Sequence, residues 1–432
     1  MSFEVALTGL NAASAELQII ANNIANSNTS GFKQSRGEFA DIFASSSLGA
    51  TANAVGSGVR LSKVAQQFSQ GNINFTENNL DLAVNGQGFF RLDDNGSIAY
   101  ARAGAFSVDR DGNVVNPAGQ QLTVFTADAS GAVTGAIGPL TLTTNTIAPI
   151  ATTSTTIDAN IDASKPAIPI TTLFNAADPS TFSHSTSTTI YDSLGSSHLQ
   201  TIYLKKIVDN NWDMYMKVDG QEIIPTGGAT GDAWRLPFNP ADGTINAAGI
   251  ALYDVSAGTA VGGAPAVPTT TLTYQSFTPS GTPTAMTLGY HVEDLTQFGS
   301  PFSVNSLSQN GTPVGRLSGI DIDESGIVFA RFSNGESSIL GQVVLTNFAN
   351  PGGLGQGGDS TWTESFDSGA ALDGAPGTSS LGLIQAGALE DSNVDLSKQL
   401  VTLITAQRNF QANAQVISAN NTITQTILNI GR

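Results

Sequence analysis

Apolar residues recur every seven positions at both ends of this chain, while the text between follows a different period. From the start, Phe3, Leu10, Leu17 and Ile24 alternate with Ala6, Ala13 and Ile20 in the 3,4 spacing of a coiled-coil seam. Near the other end Leu396, Leu403, Phe410 and Ile417 form one stripe, and Val416, Ile423, Ile427 and Ile430 form a second. About 35 residues at 1.5 Å each make the second helix roughly 50 Å long. Two apolar stripes on one helix require more than one neighbour.

The plain alternative is an ordinary intrachain pair of helices. Three features point past it. Each helix stands at a terminus, where chains usually fray. The second carries more apolar surface than one partner covers, and Gln407 and Asn421 fall at seam positions, where polar residues fix register at a cost in stability. The tail of the first helix also holds Asn22, Asn23, Asn26 and Asn28, four poor helix formers in seven positions, followed by Gly31. Isolated helices are marginal in water. The expectation is therefore an end that is loose in the free subunit and ordered by neighbours, with the asparagine amides setting register and Gly31 closing the helical stretch. The second helix should open at Ser392 and Asp395, a capping-box spacing, with Glu390 and Asp391 near its positive end.

Between the ends the pattern is β. Residues 80–122 alternate apolar and polar residues between the turn dipeptides Asn85-Gly86, Asn95-Gly96 and Asp111-Gly112, and residues 317–348 repeat the style. Residues 187–220 read as hairpins of a separate antiparallel domain, with Trp212, Met214 and Met216 on one face. The chain is thus expected to be mixed and mainly β, with long terminal helices forming a coiled-coil-like layer and two antiparallel β domains, one inserted in the other. The expected segments are 1–28 with 392–432 (helical), 29–78 with 376–391 (connector), 79–146 with 296–375 (split β domain) and 147–295 (inserted β domain).

The net charge of −18, with 17 basic residues scattered along 432 positions and none before Lys33, excludes nucleic acid and anionic lipid as partners. No stretch approaches the ~20 apolar residues of a membrane span. Glu4 and Glu16 stand where a secretory signal would be basic. No cysteine is present, so thiol chemistry is out. His184, His198 and His291 lack metal-ligand spacing and read as solvent-facing strand residues. Residues 321–332 begin like a calcium loop but end in Phe332 where a bidentate Glu is needed, so they read as a hairpin turn. GLGQGG at 353–358 precedes no helix, and the SxxK at Ser30 to Lys33 has no companion motifs. No catalytic residues, metal or cofactor are expected.

The stretches LTGLNAASAELQIIANNIANSNTSGFKQSRGEF, LAVNGQGFFRL with YARAGAFSVDRDGNVVNPAGQQL, and ALEDSNVDLSKQLVTLITAQRNFQANAQVI closely resemble the bacterial flagellar rod/hook family of axial proteins. TTIYDSLGSSHLQTIYLKK, TQFGSPFSVNSLSQNG and VFARFSNGESSILGQVVLTNF resemble the hook side of that family; the resemblance read from the sequence does not extend to about residues 221–285. The resemblance implies a subunit exported through the flagellum's own type III apparatus without a cleaved signal. It polymerises outside the cell into a short curved tube that passes torque as a universal joint and encloses the export channel. It places the helices innermost and the inserted domain outside. Implied partners are other copies, the distal rod protein, a hook cap and the hook–filament junction proteins. The helix seam Leu10, Leu17, Ile24, Leu403, Phe410 and Ile417 would carry self-assembly. A distal rod protein shares the ends, but the large insertion disfavours it. A secreted β-rich adhesin would be equally acidic and cysteine-free, yet gives no reason for seamed ends.

Overall fold

The computed structural model describes residues 2–42, 56–128, 130–142, 146–261, 270–279, 281 and 284–430, without the side chains of Ser2 and residues 428–430. The centre of the Ser/Gly/Ala-rich connector, residues 43–55, lies outside the described residues. The chain divides into two compact units: one holds Met1–Thr143, Ser318–Arg331 and Ser337–Arg432, the other Thr144–Leu317 and Phe332–Glu336.

In the first unit, helix α1 (Ser2–Ala25) and helix α2 (Leu396–Ile430) pack on each other. Gly9 lies against Asn413, while Gln399 reaches Gln34 just past the end of α1, so the pair is antiparallel. The connector is more structured than its composition suggests. Strands β1 (Ser35–Asp41) and β2 (Val59–Gln66) form an antiparallel arm that packs along α1, and β3 (Ile73–Phe75) pairs with Ala388–Glu390. Gly37 leaves room there for Ile19. The body is an antiparallel sheet ordered Ser337–Val343, Gln121–Ala127, Phe89–Asp94, Ser97–Ala101, Thr361–Thr363 and Gly355–Gly358. Alternation places Phe90, Leu92, Leu122, Val124, Val343 and Leu345 in one buried core. The other face buries Phe89, Tyr100, Phe348 and Trp362, whose rings meet edge to face. The 321–332 stretch is a turn, as expected: Asp323 Oδ1 accepts from Ile327 N and from Ser325 Oγ.

The second unit packs two sheets around Trp212, Leu204, Ile157, Ile161 and Tyr290. It departs from the expected pure antiparallel domain, because Ser154–Asp162 runs parallel to Gly289–Phe298. Ser303–Gln309 pairs with the same strand, so this unit continues past residue 295. Trp212 through Met216 are buried on both faces rather than one, and Trp212 Nε1 donates to Gln297 Oε1 at 2.7 Å. The histidines also differ from expectation: His184 and His198 are buried and His291 half-buried. His198 sits between two turn aspartates, Nδ1 at 2.6 Å from Asp219 Oδ2 and Nε2 at 3.5 Å from Asp192 Oδ2. That contact is what a β strand with two acidic hairpin ends gains from a buried imidazole.

Burial pushes the Asp192 carboxyl up, but donated bonds from Ser196 N, Leu194 N and His198 outweigh it and hold the group below its ordinary value; Asp219 is lowered in the same way by His198 and Leu199 N. Depressed folded-state values mean stability that is full above about pH 4 and is lost as pH falls through them. The second unit should lose stability as pH falls below about 4, and Asp192→Asn should flatten that loss. Urea unfolding followed by tryptophan fluorescence across the range measures it; an identical acid slope in the variant refutes the assignment.

Candidate assembly interface

Both chain ends meet at one buried carboxylate. Glu390 is fully enclosed and its Oε1 takes Lys33 Nζ at 2.6 Å and Gly71 N at 2.8 Å, while Oε2 lies 3.3 Å from Arg102 Nη1. Lys33 Nζ also donates to Ser69 O, and Arg102 Nη2 to Gly86 O. Burial lowers both cations from their ordinary values, against the pull of Glu390. The Glu390 carbonyl in turn accepts from Gly31 N and Ser30 Oγ. Gly31 has φ of +70°, and a Cβ there would lie 2.3 Å from Ala103 N, so only glycine lets the chain pass. Glu390 therefore serves this knot rather than the α2 dipole. The α2 cap is Asp395, whose Oδ1 accepts from Lys398 N; Ser392 Oγ accepts from Val394 N instead.

The asparagines divide by role. Asn23 is buried, and its amide exchanges two bonds with the Ser35 backbone at 2.8 and 2.9 Å, tying the end of α1 to β1. Both bonds lie within the subunit. Asn26 bonds back to Asn22 O one turn earlier, and Asn22 and Asn28 are exposed. Asn393, which the sequence reading did not single out, donates to Gln67 O and Ser69 O and accepts from Gln34 N.

On the helices, Leu10, Leu17, Ile24, Leu403, Phe410 and Ile417 are all half-buried. The fully buried positions of α1 are Ala6, Ala13, Ile20 and Asn23, and those of α2 are Gln399 and Ala406. Small residues bring the two axes close. Gln407 and Asn421 are exposed, so the polar seam residues are Gln399 and Asn413 instead. The antiparallel pair leaves Leu396, Leu400, Val401, Ile404, Val416, Ile423 and Ile427 between 44% and 66% exposed. The side chain of Ile430, assigned to the second stripe, lies outside the described residues. Burying the open half of each of these seven is worth ~1 kcal/mol, several kcal/mol per helix before ordering costs.

A cleft of ≈ 760 Å³ beside Asn22, Asn26, Phe32, Gln66, Pro117 and Trp362 has Asp359 as the one ionisable side chain on its described lining, which offers no acid–base pair. Among the described residues no group of three or more His, Asp or Glu could hold a metal, and no helix is long and apolar enough to cross a membrane.

This architecture, with both ends in one helical pair and a β body between, is what the resemblance to the flagellar axial family led one to expect. The chain matches the families described as Flagella basal body rod protein over residues 3–33, Flagellar hook protein FlgE/F/G D1 domain over 83–162, Flagellar basal body protein FlaE D2 domain over 156–312 and Flagellar basal body rod FlgEFG protein C-terminal over 385–430. It is 37% identical to the flagellar hook protein FlgE of Escherichia coli and 36% to that of Salmonella typhimurium, each over the full length of both chains, and 29% to that of Borreliella burgdorferi over 98% of each. The solved Helicobacter pylori hook protein FlgE2 aligns with 73% of this chain and 100% of its own at 14% identity and a TM-score of 0.47. The chain belongs to the flagellar hook protein FlgE family, a family of structural proteins rather than enzymes.

Glu390→Gln would leave Lys33 and Arg102 buried without a counter-charge. Breaking a buried pair in this way costs ~3–5 kcal/mol. Guanidinium unfolding of the free subunit should show that loss in the first unit; a change below about 1 kcal/mol would show the triad to be energetically idle.

Proposed function

We propose that this chain is the structural subunit of a bacterial flagellar hook, polymerising outside the cell into a curved tube that transmits torque from rod to filament and encloses the export channel. Support comes from full-length relatives of that name and from a 35-residue helix whose apolar flanks the subunit itself does not cover. In this reading α1 and α2 form the inner layer of the tube. The half-buried seam of Leu10, Leu17, Ile24, Leu403, Phe410 and Ile417 completes its burial against other copies. The distal rod protein, a hook cap and the junction proteins adjoin the two ends, and export proceeds without a cleaved signal.

Bending makes neighbouring outer units slide, which suits surfaces with few fixed ion pairs. The chain has only 12% charged residues. Contacts between Ser, Thr and Gly surfaces break and reform at little cost, whereas desolvated ion pairs resist.

Under polymerising conditions the purified chain should form tubes in the electron microscope, and a chain ending before residue 406 should not. Tubes from the truncated chain defeat the proposal. Helix content by circular dichroism should rise on assembly, because helices with open apolar flanks are marginal alone; equal content in monomer and polymer refutes the loose-end reading. Phe410→Ala should impair assembly more than monomer solubility, read by sedimentation of polymer against soluble subunit.

A further inference from the structure

An asparagine followed by glycine can react with itself, because the glycine nitrogen reaches the preceding carboxamide with no Cβ in the way. The chain holds four such pairs, at Asn85-Gly86, Asn95-Gly96, Asn310-Gly311 and Asn334-Gly335. Ring closure requires the carboxamide and the next peptide unit to turn toward each other, so bonds and walls that hold either group slow the reaction. Three of the four pairs are held.

Asn310 Oδ1 accepts from Thr153 N at 2.9 Å and Ser154 N at 3.0 Å, its Nδ2 donates to Thr153 Oγ1 at 2.8 Å, and Thr152 closes over Gly311. Asn334 Nδ2 donates to Pro313 O at 2.9 Å and its Oδ1 accepts from Glu336 N at 3.1 Å, with Gly315 packed against the carboxamide. Asn85 is held through its main chain. It is laddered with Leu383, while Gly86 N donates to Gln70 Oε1, Gly86 O accepts from Arg102 Nη2, and Gly382 lies against the same glycine.

Asn95 differs on each count. It opens the exposed two-residue turn that joins Phe89–Asp94 to Ser97–Ala101. Among the described residues its carboxamide makes one bond, from Nδ2 to the exposed Asp94 Oδ1 at 3.1 Å, and a Cβ on Gly96 would meet nothing within 4 Å. Its φ of +53° is a left-handed conformation that a side chain disfavours. Gly96 N donates to Asp93 Oδ1 at 2.6 Å, a bond at the same exposed tip that opens whenever the tip frays.

We infer that Asn95 is the site at which the native subunit deamidates spontaneously. Gly96 N gives its proton to solvent and bonds to Asn95 Cγ; the Cγ–Nδ2 bond breaks, and Nδ2 leaves as ammonia with a proton from water. Water then opens the succinimide at either carbonyl, to aspartate or isoaspartate. The product is a third carboxylate beside Asp93 and Asp94, and the isoaspartate form adds a methylene to a turn whose length sets the hairpin register.

The full chain is aged in warm neutral buffer and digested with trypsin, for which Arg91 and Arg102 bound a peptide with Asn95 as its sole asparagine. Mass spectrometry should find that peptide one mass unit heavier and split into two chromatographic forms, accumulating at least about tenfold faster than the change at Asn85, Asn310 or Asn334. In chain aged unfolded in urea the four rates should converge, since only the fold separates them. Equal rates in the native chain, faster reaction at any of the other three, or a gap of the same size in urea overturns the inference.

Discussion

The carboxylate of Glu390 is the point on which the first unit depends. It neutralises Lys33 and Arg102, takes the Gly71 N–H, and its own backbone receives Ser30 and Gly31. These partners come from three separated parts of the chain, residues 30–33, 71 and 102. Unpaired, any of the three charges would be expelled from an interior of this kind, so the segments that carry them come together as a set. The knot lies one short step from each helix: α1 ends at Ala25 and α2 starts at Leu396. Asn23 on one side and Asn393 on the other extend it with amide bonds to backbone.

Above the knot the helices are tied loosely by comparison. Their shared seam is built on alanine, glycine and two polar residues, with the larger Leu and Phe side chains only half covered. Such a seam sets a close approach and a register without spending the apolar surface available. The subunit is densely bonded at its junction and leaves apolar surface open along its helices.

Period and turn chemistry made much of this legible in sequence. Heptads marked both helices to within a few residues, and Asn95-Gly96, Asp111-Gly112, Ser325-Gly326 and Asn334-Gly335 join paired strands, since each signal is local; the expected hairpin at Asn85-Gly86 is absent, because Leu82–Asn85 pairs with Leu383–Ala386 instead. What local signals cannot carry is pairing across long separations. Lys33 with Glu390 spans 357 residues, and Lys33 looked like part of an empty SxxK while Glu390 looked like a helix-dipole residue. Buried histidines were misread for the same reason: Asp192 and Asp219 reveal themselves as partners of His198 only when two turns close around it. The parallel pairing of Ser154–Asp162 with Gly289–Phe298 likewise leaves no turn to read. Seam assignments failed where polarity was taken as the guide, because Gln407 and Asn421 share the heptad neighbourhood but face away from α1.

The placement of β3 beside Ala388–Glu390 has a mechanical consequence. The strand that β3 pairs with ends in Glu390, just before α2, and Gly31 and Lys33, just past α1, bond that same residue, so the two helices are linked by a path a few residues long. The roughly three hundred residues looped between Phe75 and Ala388 hang outside that path. Strain between the two helices can therefore rise and fall while the β folds attached to them stay unstretched.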